Sequence, residues 1–250
     1  MKASQPANRL LRGQRKLVIL PIGACEQHGP YLPIDTDLRI AQLIAEKLEG
    51  MFARDEYLLL PIIPFSCSWE HKGIGTIALS HTTIANIIHD IAYNLKTWER
   101  TDLFILLNWH GGNNLLSSLA AEITAKENIP TLAVNAISET SRIWIEDHQE
   151  DKELEDIHAG ALETAIIKAY WPELVDDDIP KESKYQIRID PSIIHFALQA
   201  FNMREITKEG IWGDPSIAKA EEGKHAIEEV TKNIYNQIQK VLMLMDKVNN

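Results

Sequence analysis

The chain has 250 residues, a formal net charge of −11 and an apolar fraction of 45%, which is enough to bury one sizeable core and predicts a single domain. The acidic balance argues against nucleic acid as a partner, because proteins that bind nucleic acid carry basic stripes that neutralise phosphates. Its two cysteines, Cys25 and Cys67, are too few for a disulfide framework and indicate reduced thiols in a reducing compartment.

The amino terminus is basic and has neither an apolar centre nor a small-residue cleavage site. We therefore expect a flexible arm over residues 1–14, followed by one domain over residues 15–250. No window approaches the run of about 20 apolar residues that crosses a bilayer. These features predict a cytoplasmic protein that does not bind membranes.

Short continuous apolar runs alternate with helical spacing along the chain. Such runs are typical of strands buried on both faces of a parallel sheet, and they occur at residues 16–20, 57–63, 103–107 and 131–134. Apolar residues at three-and-four spacing fill the intervals at residues 38–48 and 84–95. The alternation predicts an α/β fold with a parallel sheet between two layers of helices.

The carboxyl-terminal third is mostly helical or charged. Residues 217–248 repeat the helical spacing, and we expect this stretch to break near Gly223 and to cover one face of the sheet. Two charged segments, at residues 146–156 and 172–183, interrupt the alternation. Both are interpreted as solvated loop or helix surface.

Two predicted strands run directly into residues that can bind metals. Glu26 and His28 follow the first strand, and His110 follows the third within the sequence NWHGGNN. Ligands of parallel sheets gather beyond the carboxyl ends of the strands. We therefore expect these three side chains at the same edge of the sheet.

Further carboxylates and an imidazole could complete such a site. Asp35 and Asp37 precede a helical pattern, where one of them is expected to be only a helix cap. His158 and Glu163 lie in HAGALETA, at the start of another helical pattern. Carboxylates together with imidazoles are the ligands of hydrolytic Zn²⁺ and Mn²⁺ sites, because they balance charge and leave room for water.

Four segments in order along the chain resemble the signatures of the creatininase (creatinine amidohydrolase) family. They read GACEQHGPYLPIDTD, NWHGGNN, HAGALETA and GIWGDPSIAKAEEG. The resemblance implies a three-layer α/β/α fold with a mostly parallel central sheet and a homo-oligomer, commonly a hexamer. It also implies two divalent metal ions per chain, Zn²⁺ or Mn²⁺ or both.

The same resemblance implies a role for particular residues. His158 matches the catalytic histidine of the family, which we expect to act as general acid and base. Asp37, rather than Asp35, is placed between the two ions. The resemblance implies that Glu26 and His110 bind one ion and that His28 and Glu163 bind the other. Asp37 is shared by both ions.

Three positions depart from the family pattern. Creatinine-hydrolysing members take a metal ligand two residues after the histidine that matches His110, where this chain has Gly112. Trp109 replaces the usual glycine before that histidine, and the third signature has Ala161 and Ala165 in place of glutamate and serine. The change at Gly112 weighs against creatinine as the substrate.

The predicted reaction is hydrolysis of a C–N bond in a small amide, cyclic amide or formamide by water activated between two metal ions. We expect backbone N–H groups near Gly111 and Gly112, at a helix start, to stabilise the oxyanion. The side chains predicted to contact the substrate are His71, Trp109 and Trp212.

Two other functions are considered. A thiol-based amidohydrolase could use Cys25, because a cysteine activated by the neighbouring His28 attacks amides directly. A catalytically silent family member could instead bind a metal or a metabolite. A dinucleotide-binding domain is disfavoured, since NWHGGNN lacks the G-x-G-x-x-G spacing.

Overall fold

Four parallel strands form the central sheet of this computed structural model. They are β1 (Lys16–Ile22), β2 (Tyr57–Leu59), β3 (Thr101–Asn108) and β4 (Thr131–Asn135), and they lie in the order β2-β1-β3-β4. The structure describes residues 16–53, 56–98, 101–148, 156–176, 178–179, 190 and 193–248. The predicted arm over residues 1–14 lies outside the described residues.

Eight helices accompany the strands within the described part of the chain. They are α1 (Thr36–Glu49), α2 (His81–Lys96), α3 (Leu116–Glu127), α4 (Ala136–Asp147), α5 (Ala161–Tyr170), α6 (Ile194–Ala200), α7 (Met203–Ile206) and α8 (Ala220–Val248). Single turns of 3₁₀ helix occur at Trp69–His71, Pro172–Leu174 and Pro215–Ile217.

The sheet is buried on both faces, as the apolar runs predicted. Successive side chains of a strand point to opposite faces. Leu17 and Ile19 accordingly join a core shared with α1, α4, α5 and α8. Val18 and Leu20 join a second core that includes residues of α2 and α3. The predicted three-layer α/β/α architecture is confirmed.

The second strand is shorter than its apolar run. Regular pairing with β1 ends at Leu59, although the run continues to Ile63. Pro61 and Pro64 have no N–H group to donate to a neighbouring strand. Only an isolated bridge between Ile22 and Ile63 continues the parallel arrangement.

The predicted break at Gly223 is wrong, because α8 is continuous over 29 residues. The glycine instead permits a close helix crossing: a Cβ atom at position 223 would lie 2.3 Å from the backbone carbonyl of Ala165 in α5. The helix therefore packs on α5, and also on α4 and α1. It reaches its side of the sheet mainly through these helices.

The charged segments are only partly solvated surface. Residues 146–148 end α4 and the turn after it, and residues 149–155 lie outside the described residues. Asp156 corrects the prediction, because its carboxylate accepts the N–H of Leu162 at 2.7 Å and lies against Gly160. In the second segment, residues 177 and 180–183 are outside the described residues.

The register of the sheet sets the position of the candidate site. Ile22 pairs with Asn108, so β1 and β3 end side by side, and the N–H of Trp109 donates to the carbonyl of Ile22 at 3.0 Å. In the described part of the chain, no helix has the combination of length and apolar character needed to cross a bilayer.

Candidate metal centre

The loops after β1 and β3 bring together the first two predicted ligands. Nδ1 of His110 lies 3.2 Å from Oε2 of Glu26, and both residues are buried. The expectation that these loops meet at one edge of the sheet is met. Their proximity follows from the parallel order of β1 and β3.

Asp37 joins them from the first turn of α1. Its Oδ2 atom lies 3.2 Å from Nδ1 of His110, and its Oδ1 atom lies 3.3 Å from Nε2 of His28. Asp35 takes no part, because its carboxylate forms a salt bridge with Arg39 at 2.8 Å. It is the residue before α1, yet its side chain makes no capping hydrogen bond.

Glu163 completes the group from the first turn of α5. Its Oε2 atom lies 3.6 Å from Nε2 of His28 and accepts the N–H of Ala159 at 2.8 Å. Its Oε1 atom accepts the indole N–H of Trp109 at 3.1 Å. The two oxygens of Asp37 thus face different imidazoles, and each imidazole has a second carboxylate beside it, Glu26 for His110 and Glu163 for His28.

Backbone carbonyls assign the tautomers of the two imidazoles. Nδ1 of His28 lies 3.1 Å from the carbonyl of Glu26, and Nε2 of His110 lies 2.7 Å from the carbonyl of Cys67. A carbonyl only accepts, so each of these ring nitrogens carries the proton. The opposite nitrogen of each ring faces the carboxylates, from where it can bind a metal once it is deprotonated.

This donor set fits divalent cations. Three of its buried atoms, Oε2 of Glu26, Nε2 of His28 and Oδ2 of Asp37, have no hydrogen-bond partner, although buried polar atoms are normally paired. Two ligands at about 2.1 Å from a tetrahedral ion are about 3.4 Å apart, close to the 3.2 to 3.6 Å separations measured here. Cations between these atoms would satisfy all three.

The site is also rich in coupled charge. Burial raises the pKa of Glu26, but His110 and His71 outweigh it and hold the pKa well below its usual value. Burial likewise raises the pKa of Glu163, yet His28 brings it down to about 2. Burial lowers the pKa of His28, while Glu163 and Asp37 raise it well above the usual value. The carboxylates of Glu26 and Glu163 are therefore ionised and available to a cation.

Two further imidazoles line the other oxygen of Glu26. Nε2 of His71 is 3.6 Å from Oε1 of Glu26, and Nδ1 of His158 is 3.8 Å from the same atom. Among the described residues, Glu26, His71 and His158 also form one of three groups whose potential ligand atoms lie within 4.8 Å of one another. The other two groups combine His28 and His158 with Glu163, and Glu26 and His28 with Asp37.

Gln27, which the sequence reasoning did not select, holds both of these imidazoles. Its carbonyl lies 2.8 Å from Nε2 of His158, so that nitrogen carries the proton and Nδ1 faces Glu26. Its amide nitrogen donates to Nδ1 of His71 at 2.9 Å and to the carbonyl of Gly210 at 3.1 Å. Burial lowers the pKa of His158, and His28 lowers it further. The position of Gln27 between two predicted ligands was the only signal in the sequence.

The residues predicted to contact the substrate differ in the space around them. Trp109 and Trp212 are fully buried, and Trp212 forms an antiparallel bridge with His158. Gly111 has open space beside it, whereas a Cβ atom at position 112 would lie 2.1 Å from the carbonyl of Cys67. Both glycines precede α3 by several residues, so the expected helix start at this point is wrong.

Glu70 is another residue that the sequence reasoning missed. Its Oε1 atom lies 2.3 Å from the position of a Cβ atom at Gly112 and 3.6 Å from Nε2 of His110. Burial raises the pKa of its carboxyl group. It occupies the space beside Gly112, and no pattern in the sequence connects it with the site.

Comparison with known proteins finds similarity in sequence and in fold. The family profile described as creatininase, creatinine amidohydrolase, matches residues 2–238. A mycofactocin precursor peptide peptidase of Mycolicibacterium smegmatis is 26% identical over 239 residues, which cover 93% of this chain and 88% of the relative.

A shorter match relates the chain to a different activity. A 2-amino-5-formylamino-6-ribosylaminopyrimidin-4(3H)-one 5'-monophosphate deformylase of Methanococcus maripaludis is 27% identical over 117 residues, covering 46% of this chain and 50% of the relative.

Solved structures share the fold. A creatininase described with manganese superposes with a TM-score of 0.75 at 19% identity, covering 96% of this chain and 97% of the other. A creatininase mutant of Zn–Zn type has a TM-score of 0.70 at 18% identity, with the same coverage of both chains.

Proposed function

The chain belongs to the creatininase family, and from this premise we propose that it is a metal-dependent amidohydrolase. The proposed reaction is cleavage of a C–N bond in a small amide, cyclic amide or formamide. One observation carries the proposal: the two carboxylate oxygens of buried Asp37 each face an imidazole nitrogen, His110 on one side and His28 on the other.

The proposed ligands fall into two sets that share Asp37. Glu26 and His110 would hold one ion, and His28 and Glu163 would hold the other. When bound, a pair of divalent ions supplies Lewis-acid polarisation of the amide carbonyl and lowers the pKa of water towards neutrality. Manganese or zinc suits the mixture of carboxylate and imidazole ligands, and both metals occur in the structural relatives.

His158 is proposed as the general base and general acid. The backbone carbonyl of Gln27 accepts a hydrogen bond from the Nε2–H group of His158. Nδ1 therefore carries the lone pair that can take a proton from the attacking water. The lowered pKa keeps this imidazole neutral before the reaction. The same Nδ1 atom would then return the proton to the leaving nitrogen, which must be protonated before it departs.

His71 is proposed to orient the substrate. Gln27 donates to its Nδ1 atom, which leaves the ring proton on Nε2, facing Oε1 of Glu26. Burial lowers the pKa of His71, and neighbouring imidazoles lower it further, so the ring is a neutral donor. Such a donor can hydrogen-bond a polar atom of the substrate beside the ligands.

The observations favour amides other than creatinine. The carbonyl of Cys67 fills the space beside Gly112, so a ligand side chain cannot be placed at that position in this conformation. A peptide-like amide is the second candidate, because the relative named as a peptide peptidase matches over most of both chains. The deformylase supports a formamide over a shorter region.

The structure offers little support for a thiol nucleophile. Burial raises the pKa of Cys25, and the charges of Asp35 and Glu26 raise it further. A raised pKa disfavours the thiolate that would attack the amide. A catalytically silent member would share the same ligands and is separated from an active one only by assay.

The test is a metal assay followed by a substrate screen. Purified protein should contain about two zinc or manganese ions per chain and hydrolyse at least one member of a panel of formamides, cyclic amides and short peptide amides. Glu26→Gln should lose one ion and most of the turnover. Activity that survives complete chelation but disappears in Cys25→Ser would overturn the metal mechanism, and two ions without any hydrolysis would favour a silent member.

The homo-oligomeric assembly and the cytoplasmic location stay predictions. A homo-oligomer, with a hexamer as the assembly common in the family, is checked by light scattering on the purified chain. A mass equal to one chain would exclude it.

A further inference from the structure

We propose that Trp109 is a positioning residue for Glu163, whose carboxylate it orients toward the ion shared with His28. The inference rests on the proposed function, since it assigns a role relative to that ion. It also gives a physical role to the tryptophan that stands beside His110.

Trp109 contacts Glu163 from the hydrophobic core. It is the first residue after β3, its side chain is fully buried in the core on the α5 face of the sheet, and its indole N–H donates to Oε1 of Glu163 at 3.1 Å. An indole nitrogen can only donate. This bond therefore places Oε1 toward the core.

The second oxygen of the carboxylate is held by the backbone. Oε2 of Glu163 accepts the N–H of Ala159 at 2.8 Å and lies 3.6 Å from Nε2 of His28. One donor on each oxygen fixes both the position and the plane of the carboxyl group. A free glutamate side chain would lose considerable rotamer entropy on binding a cation, and a carboxylate already held in place loses less.

The contact joins parts of the chain that are far apart in sequence. Trp109 lies next to His110, which faces one ion position, and Glu163 is 54 residues further along the chain and faces the other. Hydrogen bonds that orient a ligand typically change metal affinity about 10- to 100-fold when they are removed. The Trp109 indole is such a partner for Glu163.

The experiment compares two buried tryptophans. Trp109→Phe removes the indole N–H and keeps an aromatic ring. Trp144→Phe is the matched control, because Trp144 is also buried in this core but its Nε1 atom has no hydrogen-bond partner. Zn²⁺ binding to the metal-stripped proteins is measured by competition with a chromophoric chelator.

We expect Trp144→Phe to bind about two ions, each with the same affinity as the wild type. Trp109→Phe should bind one of the two about 10- to 100-fold more weakly. In a Glu163→Ala background, which removes the acceptor, the further change Trp109→Phe should have no effect, since the two residues act through one contact. Equal zinc affinities of Trp109→Phe and the wild type would overturn the role of Trp109. A wild type that binds no zinc or manganese would overturn the proposed function itself.

Should the Trp109→Phe chain not fold, the wild type provides the same test. Its six tryptophans give separate indole ¹⁵N–¹H signals, which single Trp→Phe variants at the other positions assign by elimination. The Trp109 signal should shift as the two equivalents of Zn²⁺ are added, whichever of them occupies the position beside Glu163. A Trp109 signal that is unchanged by both equivalents would overturn the inference.

Discussion

The two halves of the candidate site are built differently. In the first half, Glu26 and His110 lie in loops that directly follow β1 and β3, and the carbonyl of Cys67 fixes the His110 ring. In the second half, His28 also follows β1, whereas Glu163 belongs to α5, which no strand of the described residues directly precedes. It is oriented by Trp109 and by the N–H of Ala159.

The difference shows how a site can combine two sources of precision. Adjacent parallel strands place the first half, because the ends of β1 and β3 are paired in the sheet. Individual hydrogen bonds from Trp109 and Ala159 place Glu163 of the second half. A mutation in the core of the sheet would disturb the first half, whereas loss of a single donor can disturb the second.

The largest effect is expected where the halves meet. Asp37→Asn should lower the affinity for both ions and reduce turnover by about 10³-fold or more, since charge stabilisation of several kcal/mol is lost and each 1.4 kcal/mol is tenfold. Metal content and turnover of the variant are measured together. Asp35→Asn is the control, because it breaks only an exposed i,i+4 pair with Arg39. Retention of two ions by Asp37→Asn would show that the halves do not share this carboxylate.

A smaller effect is expected from a residue that serves the reaction and neither ion. His158→Ala should reduce turnover by about 10²- to 10⁴-fold, the usual contribution of a general acid and base. The metal content should stay at about two ions per chain. The pH profile of kcat should also lose the limb that reports this imidazole. Unchanged turnover would remove His158 from the mechanism.

The sequence predicted the first half of the site better than the second. The apolar runs that precede Glu26, His28 and His110 predict a common sheet edge for these three residues, because parallel strands align their carboxyl ends. Of the second half, they therefore predict His28 but not Glu163. Nothing in the pattern of residues predicted that Asp37 rather than Asp35 faces the site. That choice came from the family resemblance, and the structure agrees with it, because Asp35 pairs with Arg39.

The second half of the site, to which α5 contributes Glu163, depends on contacts that a sequence pattern does not encode. Gly223 was predicted to break a helix, but the structure uses it for the crossing of α5 and α8. Asp156 was predicted to be solvated as part of an acidic run, yet its carboxylate accepts a backbone N–H at the start of α5. Composition describes the average surroundings of a segment, whereas these roles depend on single tertiary contacts.

The smallest effect is expected at Asp156, which is not a proposed metal ligand but hydrogen-bonds the start of α5, the helix that carries Glu163. The residue as a whole is half-buried, but its carboxylate accepts the N–H of Leu162 and lies against the backbones of Gly160 and Gly213. Burial raises the pKa of Asp156 to about 7, despite the opposing hydrogen bond from Leu162. In the unfolded chain the pKa of this group is about 3.9.

The sign of the pH dependence follows from these two values. Between about pH 4 and pH 7 the native state binds more protons at Asp156 than the unfolded state, so its contribution to the free energy of unfolding falls as the pH rises, by at most about 1.4 kcal/mol per pH unit. Asp156→Asn keeps an oxygen that accepts the Leu162 N–H but cannot ionise, so its melting temperature relative to the wild type should rise from pH 5 to pH 8. Asp156→Ala, which removes the acceptor, should be destabilised by about 1 kcal/mol at the low end of that range. If Asp156→Asn were destabilised equally at both pH values, the negative charge would not oppose folding, and the carboxylate would support α5 as an ordinary charged cap.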